Sequence, residues 1–138
     1  MSDMITKRQR SENMRKIKSK NTKPELIVRK QMYAMGYRYR LHKKELPGKP
    51  DIVLAKYMIA VFVNGCFWHQ HEGCKRATQP KTNRHYWNEK LNRNQKRDKE
   101  NYRLLKEMGW KVVIIWECET KDSQRLKEII KERVKNGL

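Results

Sequence analysis

The stretch from residue 63 to 74 constrains the fold of this chain most, because it reads V-N-G-C-F-W-H-Q-H-E-G-C. It holds two of the three cysteines and two of the four histidines of the chain. Cys66, His71 and Cys74 offer three ligands to one zinc ion, at spacings that structural zinc sites use. Cys118, far downstream, offers the fourth ligand. The motif predicts a zinc-stapled loop that holds two aromatic side chains and a second histidine in place.

A competing interpretation makes the three cysteines unrelated core thiols, since free cysteine is often buried. Cys66 and Cys74 stand in a polar loop where we expect no hydrophobic surroundings to bury them, which favours the metal site. His69 and His71 are both candidates for the histidine ligand. We assign His71, because His69 is needed for the chemistry considered below.

The charge balance points to an anionic partner. The chain has 138 residues, with 34 basic and 15 acidic side chains, so its formal charge is 34 − 15 = +19. Such a charge repels itself in a compact domain unless it meets an opposite charge. Basic residues interleave with aromatics and amides, as in R-H-Y-W-N from residue 84, which favours nucleic acid over a membrane or an acidic protein.

Compartment and domain organisation follow from what the sequence lacks. It has no apolar run of 18 residues, no apolar signal segment at its start and an odd number of cysteines. We therefore expect a cytoplasmic protein, bound to no membrane, whose thiols are reduced. Residues 1–22 are polar and basic and predict an arm, helical after Ser11, and residues 23–138 predict one domain. Basic side chains of the arm would contact phosphates without sequence choice: Lys7, Arg8, Arg10, Arg15, Lys16, Lys18 and Lys20.

Hydrophobic periodicity predicts an α/β fold around a mixed sheet. A helix starts at residues 21–22, with Pro24 in its first turn, and stops at Gly36. The remaining elements are strands at 37–41, 52–54 and 58–63, a long helix at 86–108, a strand at 111–116 and a helix at 122–136.

Asp51 stands at the entry to a buried strand, where a carboxylate is costly unless it serves a cation or a partner. The plainer interpretation is a solvated aspartate at a strand end. Many Mg²⁺ nucleases follow such an aspartate with Glu-x-Lys on the next strand, and this chain has V-N-G there instead. Either the site is inactive or another residue takes over, and His69 is the candidate general base.

The long helix carries a stripe at helical spacing that should face inward: Trp87, Leu91, Asn94, Asp98, Tyr102 and Leu105. Asn94 and Asp98 are polar where a core helix is apolar. We expect Asp98 to pair with His69 and fix its tautomer. In a slightly rotated register, Asp98 would instead lie on the surface beside a basic neighbour.

Two aromatic pairs are candidates for stacking on bases or wedging between them: Phe67 with Trp68, and Tyr86 with Trp87. Trp87 is equally well interpreted as the first core residue of its helix.

The motifs G-C-F-W-H at 65–69, L-P-G-K-P-D at 46–51, N-M-R-K-I at 13–17 and G-W-K-V-V-I-I-W-E-C ending at Cys118 together resemble the very-short-patch repair (Vsr) DNA mismatch endonucleases. The resemblance implies a restriction-endonuclease-like three-layer sandwich with a central mixed sheet and a structural zinc. It also implies Mg²⁺-dependent nicking 5′ to the thymine of T:G mismatches that arise from 5-methylcytosine deamination.

The resemblance also implies roles for individual residues. Asp51 and the main-chain carbonyl of Val63 would bind magnesium, His69 supported by Asp98 would be catalytic, and Glu25 would orient water on the metal. The zinc ligands would be Cys66, His71, Cys74 and Cys118. The residues implied to contact DNA are Met14 and Ile17 of the arm, the aromatics Phe67, Trp68 and Trp87, and the mismatch readers Lys90 and Asn94.

Two departures from the family pattern stand out. Val63 and Asn64 occupy positions where well-known members have threonine and histidine, which keeps a carbonyl ligand but removes a histidine and should slow the reaction. The zinc loop is also one residue longer between His71 and Cys74.

We therefore expect a monomeric mismatch endonuclease acting on double-stranded DNA, with mismatch-repair proteins as candidate partners. The alternatives are a nuclease without mismatch preference and a zinc-stapled DNA-binding module without catalysis.

Overall fold

The computed structural model describes residues 22–75, 77 and 82–136. Three helices and four strands follow in the order α1 (Lys23–Ala34), β1 (Arg40–Leu41), β2 (Ile52–Leu54), β3 (Ile59–Asn64), α2 (Arg84–Glu107), β4 (Lys111–Trp116) and α3 (Ser123–Asn136). Two short 3-10 helices, Ala55–Tyr57 and Glu117–Thr120, follow β2 and β4. The predicted α/β class and order of elements are confirmed. The arm, with Met14 and Ile17, lies outside the described residues.

The strands form one mixed sheet in the order β1-β2-β3-β4. β1 and β2 are antiparallel, β2 and β3 are antiparallel, and β3 and β4 are parallel. The long helix α2 connects the two parallel strands, as a parallel pair requires. In the register of that pair, Asn64 lies opposite Trp116, so both strands end at the same edge of the sheet.

Side chains that alternate along the strands divide the core between the two faces of the sheet. One face packs against α1 and α3 through a cluster of Val28, Met32, Ile52, Leu54, Ile59, Val61, Val113, Ile115, Leu126, Ile130 and Val134. The other face packs against α2 through Leu46, Val53, Ala60, Phe62, Leu105 and Val112. None of the helices in the described ranges is long and apolar enough to cross a membrane.

The predicted edge strand at residues 37–41 is wrong in length. Only Arg40 and Leu41 pair, with Val53 and Ile52. After Leu54 the chain turns into a 3-10 helix, so residues 37 and 38 have no strand residue opposite them. Tyr37 and Tyr39 pack against the core instead. His42, with φ of 47°, ends the strand on the other side.

Strands β2 and β4 have the predicted ends, and the remaining boundaries shift by one or two residues for local reasons. The backbone of Met58 has a left-handed conformation, with φ of 56°, so β3 begins after it and extends to Asn64. Asp122 caps α3 rather than joining it, since its Oδ1 accepts from the N–H groups of Gln124 and Arg125 at 3.0 and 3.2 Å. α2 begins at Arg84, two residues before the predicted start.

The turn that delivers Asp51 to β2 depends on a glycine. Gly48 has φ of +77°, and a Cβ there would lie 3.1 Å from both the Cβ of Asn101 and the Cε1 of Phe62. The turn therefore lies tightly against α2 and the sheet, with Leu46 and Pro50 buried. This packing fixes where Asp51 enters the sheet.

Candidate active site and metal centre

Asp51 precedes β2, and its Oδ2 accepts a hydrogen bond of 2.8 Å from the N–H of Val63 on β3. Glu25 of α1 lies close by and is only 1% exposed. Its Oε2 lies 2.8 Å from the Nε2 of His42 and 3.4 Å from the Nη1 of Arg29. Ligand atoms of Glu25, His42 and Asp51 all lie within 4.8 Å of one another. Asp51 is therefore part of a carboxylate and imidazole cluster in which Glu25 is buried and the other two residues are partly buried, and it is not a solvated strand end.

Burial raises the pKa of Asp51 from 3.8 to about 7. The N–H of Val63 opposes this rise, the nearby charge of Glu25 adds to it, and His69 opposes it. Two carboxyl groups held this close repel each other when both are ionised. A cation is the natural counter-charge for such a pair.

His69 lies in the loop after β3, and its Nδ1 is 2.5 Å from the Oδ2 of Asp98 on α2. Both side chains are partly exposed, at 29% and 21%. α2 is thus turned so that Asp98 faces the loop, rather than lying on the surface beside a basic neighbour. Because a carboxylate only accepts hydrogen bonds, this contact favours the tautomer of His69 whose Nδ1–H donates to Asp98.

Cys66, His71, Cys74 and Cys118 converge, with their ligand atoms all within 4.8 Å of one another. The Nδ1 of His71 lies 3.7 Å from the Sγ of Cys66 and 3.5 Å from the Sγ of Cys118. Such separations fit ligands at about 2.3 Å (sulfur) and about 2.0 Å (nitrogen) from one tetrahedral ion. The cluster could hold a metal ion, since the three thiols lie together around His71.

The surroundings of Cys66 differ from the sequence expectation, because its side chain is fully buried. Burial raises the pKa of the Cys66 thiol to about 12. A metal ion is the means by which such a group becomes a thiolate at neutral pH. The ring of His71 stacks on Trp116, with centroids 4.1 Å apart and planes 9° apart. The N–H of Cys66 donates to the Oε1 of Glu117 at 3.3 Å.

Phe67, Trp68, Tyr86 and Trp87 pack on one another, mostly edge to face. Ring centroids of Phe67 lie 5.1 Å from Trp68 and 5.6 Å from Trp87, and Tyr86 lies 5.4 Å from Trp87. Lys90 holds its Nζ 5.4 Å from the centre of the Trp68 ring. Trp87 belongs to neither of the two buried core clusters, so it is not simply the first core residue of its helix.

Asn94 and Asn64 both connect α2 to the site. The Nδ2 of Asn94 donates to the carbonyl of Trp68 at 3.4 Å. Asn64 is 4% exposed, and its Nδ2 donates to the Tyr102 hydroxyl at 2.9 Å. Burial raises the pKa of Tyr102 above its ordinary value, and the nearby charges of Asp98 and Asp51 add to that rise.

Comparisons with known proteins agree with this geometry. The family model of the DNA mismatch endonuclease Vsr matches residues 2–76. The chain belongs to the Vsr family. It is a DNA mismatch endonuclease by that membership. The matched range includes Glu25, Asp51, His69 and three members of the metal cluster, whereas Cys118 and α2 lie beyond it.

Relatives extend the Vsr likeness over the whole chain. The type II nicking enzyme V.NmeAIP of Neisseria meningitidis serogroup A is 45% identical over 136 residues, covering 96% of each protein. The enzyme V.XorIIP of Xanthomonas oryzae is 43% identical over 122 residues, covering 88% of this chain and 89% of that protein. The DNA mismatch endonuclease Vsr of Escherichia coli is 36% identical over 139 aligned residues, covering 100% of this chain and 88% of that protein.

Sequence reasoning missed three residues around the Vsr site. His42 follows a strand of two residues, and Tyr102 belongs to a stripe interpreted as core packing. Arg133 reaches from α3 to Glu119 at 2.6 Å and to the carbonyl of Ile114 at 2.7 Å, beside the turn that carries Cys118. For His42 and Arg133 the only signal in the sequence was the residue type itself, and for Tyr102 it was the position in the stripe of the long helix.

Proposed function

We propose that the chain nicks double-stranded DNA 5′ to the thymine of a T:G mismatch, with Mg²⁺ at Asp51 and zinc at the four-residue cluster. The observation that carries the proposal is the pairing of Asp51 with Glu25, whose ligand atoms lie within 4.8 Å of each other beside the end of β3, where the following loop holds His69 against Asp98. Two carboxylates, of which Glu25 is buried and Asp51 is partly buried, and an imidazole oriented by a third carboxylate thus lie at the end of β3. Hydrolysis of a phosphodiester needs a cation and a proton carrier in that arrangement.

Asp51 and the carbonyl of Val63 are the residues that would hold magnesium. The N–H of Val63 points at Asp51, and the carbonyl of a strand residue faces the same side as its N–H. Oxygen ligands and a negative site suit a hard cation. When bound, Mg²⁺ supplies a Lewis acid that stabilises charge on the phosphate oxygens.

His69 handles the proton. Asp98 accepts from its Nδ1–H, so Nε2 takes a proton from the attacking water and the carboxylate stabilises the imidazolium that forms. Glu25 would orient that water through a carboxylate that is buried and fixed by its contact with His42.

DNA recognition is assigned to the aromatic cluster and its neighbours on α2. Phe67, Trp68 and Trp87 would wedge beside the mismatch, and Lys90 and Asn94 would read the mismatched pair. Lys90 contacts the ring of Trp68 and Asn94 contacts its carbonyl, so the residues that would read the pair are in direct contact with one that would wedge beside it. The formal charge of +19 supports phosphate contacts in general, including those of the arm with Met14 and Ile17.

The frame around this site is proposed to be the restriction-endonuclease-like three-layer sandwich, acting as a monomer in the cytoplasm. Helices on both faces of the mixed sheet support it. Residues 23–138 would form the catalytic domain and residues 1–22 an arm on the DNA. Mismatch-repair proteins remain candidate partners.

A nicking assay tests the function directly. End-labelled duplexes that differ only in carrying T:G, each other mismatch, or a matched pair are incubated with Mg²⁺ or with a chelator. We expect cleavage of the thymine strand in the T:G duplex alone, and only with Mg²⁺. Equal cutting of matched DNA would favour a nuclease without mismatch preference, and binding without cutting would favour the non-catalytic module.

Asp98→Asn should slow single-turnover nicking by about 100-fold, because an amide neither fixes the His69 tautomer reliably nor stabilises the imidazolium. Affinity for the T:G duplex should stay within a few fold of wild type. The double variant with His69→Ala should be no slower than His69→Ala alone. Additive losses would show that Asp98 acts independently of the histidine.

Binding of Mg²⁺ should weaken as pH falls below 7. Because the folded pKa of Asp51 is raised to about 7, protons compete with the cation there. We expect the apparent Kd for Mg²⁺, measured by calorimetry, to rise about tenfold per pH unit below 7 and to level off above 8. In the metal-free protein this group favours folding at low pH, and that contribution is lost as pH rises from about 4 to about 7. A Kd independent of pH between 5.5 and 7 would contradict the assignment.

A further inference from the structure

We propose that His42 is a positioning residue for the reaction, which holds the Glu25 carboxylate in place opposite Asp51. His42 acquires this role only if Glu25 serves the nicking reaction, so the assignment rests on the function proposed above. The observation behind it is a hydrogen bond of 2.8 Å between the Nε2 of His42 and the Oε2 of Glu25.

Glu25 needs such a partner because its carboxylate is 1% exposed and another carboxylate lies within 4.8 Å of it. A buried charge without hydrogen bonds is costly, and repulsion from Asp51 favours any rotamer that moves the two groups apart. A donor on the Oε2 of Glu25 opposes that movement. His42 supplies it through a side chain that is itself only 22% exposed.

Arg29 also contacts the Oε2 of Glu25, but in a different way. It lies one turn further along the same helix, and its distance is 3.4 Å rather than 2.8 Å. A contact within α1 moves with α1 and so cannot set the distance from the helix to the sheet. The contact from His42 crosses between the two elements.

The backbone of His42 links this contact to Asp51. Its N–H donates to the carbonyl of Asp51 at 3.2 Å, immediately beyond the ladder between β1 and β2. Its φ of 47° lies in the left-handed region, where histidine is one of the few non-glycine residues found with any frequency. One residue thus bonds Asp51 through its main chain and Glu25 through its ring. It couples the positions of the two carboxylates.

Two substitutions at position 42 of the full chain test the role. His42→Ala removes the donor, and His42→Gln retains an N–H group of similar reach. At saturating Mg²⁺ we expect His42→Ala to nick a T:G duplex about 10- to 100-fold more slowly. Losses of this size are typical of residues that hydrogen-bond to the side chains of a metal site and orient them. His42→Gln should lie within about fivefold of wild type, and affinity for the duplex should be unchanged in both.

A double-substitution cycle with Glu25→Gln separates positioning from general stability. His42→Ala should add no further loss to Glu25→Gln in the nicking rate. In urea unfolding of the metal-free protein it should cost less in the Glu25→Gln background than in wild type, because only the strain of alanine at a left-handed φ is then left. The inference is overturned if His42→Ala is as fast as wild type, if the two losses add, or if His42→Gln is as slow as His42→Ala. The last result would make the imidazole itself a ligand or proton carrier. If wild type fails to nick T:G duplexes, the proposed function fails, and the unfolding cycle still decides the contact.

Discussion

Asp51→Asn should lower the rate of single-turnover nicking by at least about 1000-fold, while the chain still folds and binds a T:G duplex. The asparagine keeps an oxygen that can accept from the N–H of Val63, so the geometry of β2 and β3 survives. It loses the charge that would hold Mg²⁺ beside the phosphate. The measurement is a rapid-quench time course on end-labelled DNA with enzyme in excess.

The same substitution should stabilise the metal-free protein. Burial and the charge of Glu25 raise the pKa of Asp51, so its ionised form destabilises the folded, metal-free protein above pH 7. At pH 8 we expect Asp51→Asn to melt a few degrees higher than wild type without metal, and to gain nothing from added Mg²⁺. Glu45→Gln is the matched control, because that carboxylate is exposed and far less constrained. A variant within tenfold of the wild-type rate would remove Asp51 from the mechanism.

Sequence patterns predicted those parts of the fold that depend on local chemistry. β4 was predicted with its observed ends, because an apolar, β-branched run between a glycine turn and an acidic turn has few other solutions. Strand β1 was predicted too long, because a strand is defined by its partner and β2 offers only three residues. The strand propensity of one segment says nothing about the length of the strand that pairs with it.

The candidate site shows the same division. Convergence of Cys118 with Cys66 was predictable, since parallel neighbours bring their ends together, and each cysteine lies two residues beyond the paired Asn64 and Trp116. The contact between His42 and Glu25 was not, because it depends on how α1 packs against the sheet edge. The hydrophobic periodicity of α1 does not specify the angle at which the helix packs against the sheet.

Cys118→Ser should remove zinc from the purified protein, lower the melting temperature by about 10 °C and abolish nicking. Cys118 belongs to the 3-10 helix after β4, whereas the other ligands lie in the loop after β3. The metal would therefore tie the loop that carries His69 and the wedge aromatics to the sheet edge. Without it, the protonated thiol of Cys66 contributes only packing. Zinc content is measured by mass spectrometry and stability by calorimetry.

Cys118→His is the matched test, because an imidazole is also a zinc ligand and serine is a poor one. It should recover zinc and part of the stability, whereas extra Mg²⁺ should not restore nicking to Cys118→Ser. Zinc binding by wild type should also release protons, since a thiol with a pKa near 12 must ionise to coordinate, so zinc affinity should fall as the solution is acidified. A serine variant that retains one zinc per chain would show that Cys118 is not a required ligand. Wild type that folds and nicks without bound zinc would show that hydrogen bonds and the stacking of His71 on Trp116 are enough to hold His69 in place.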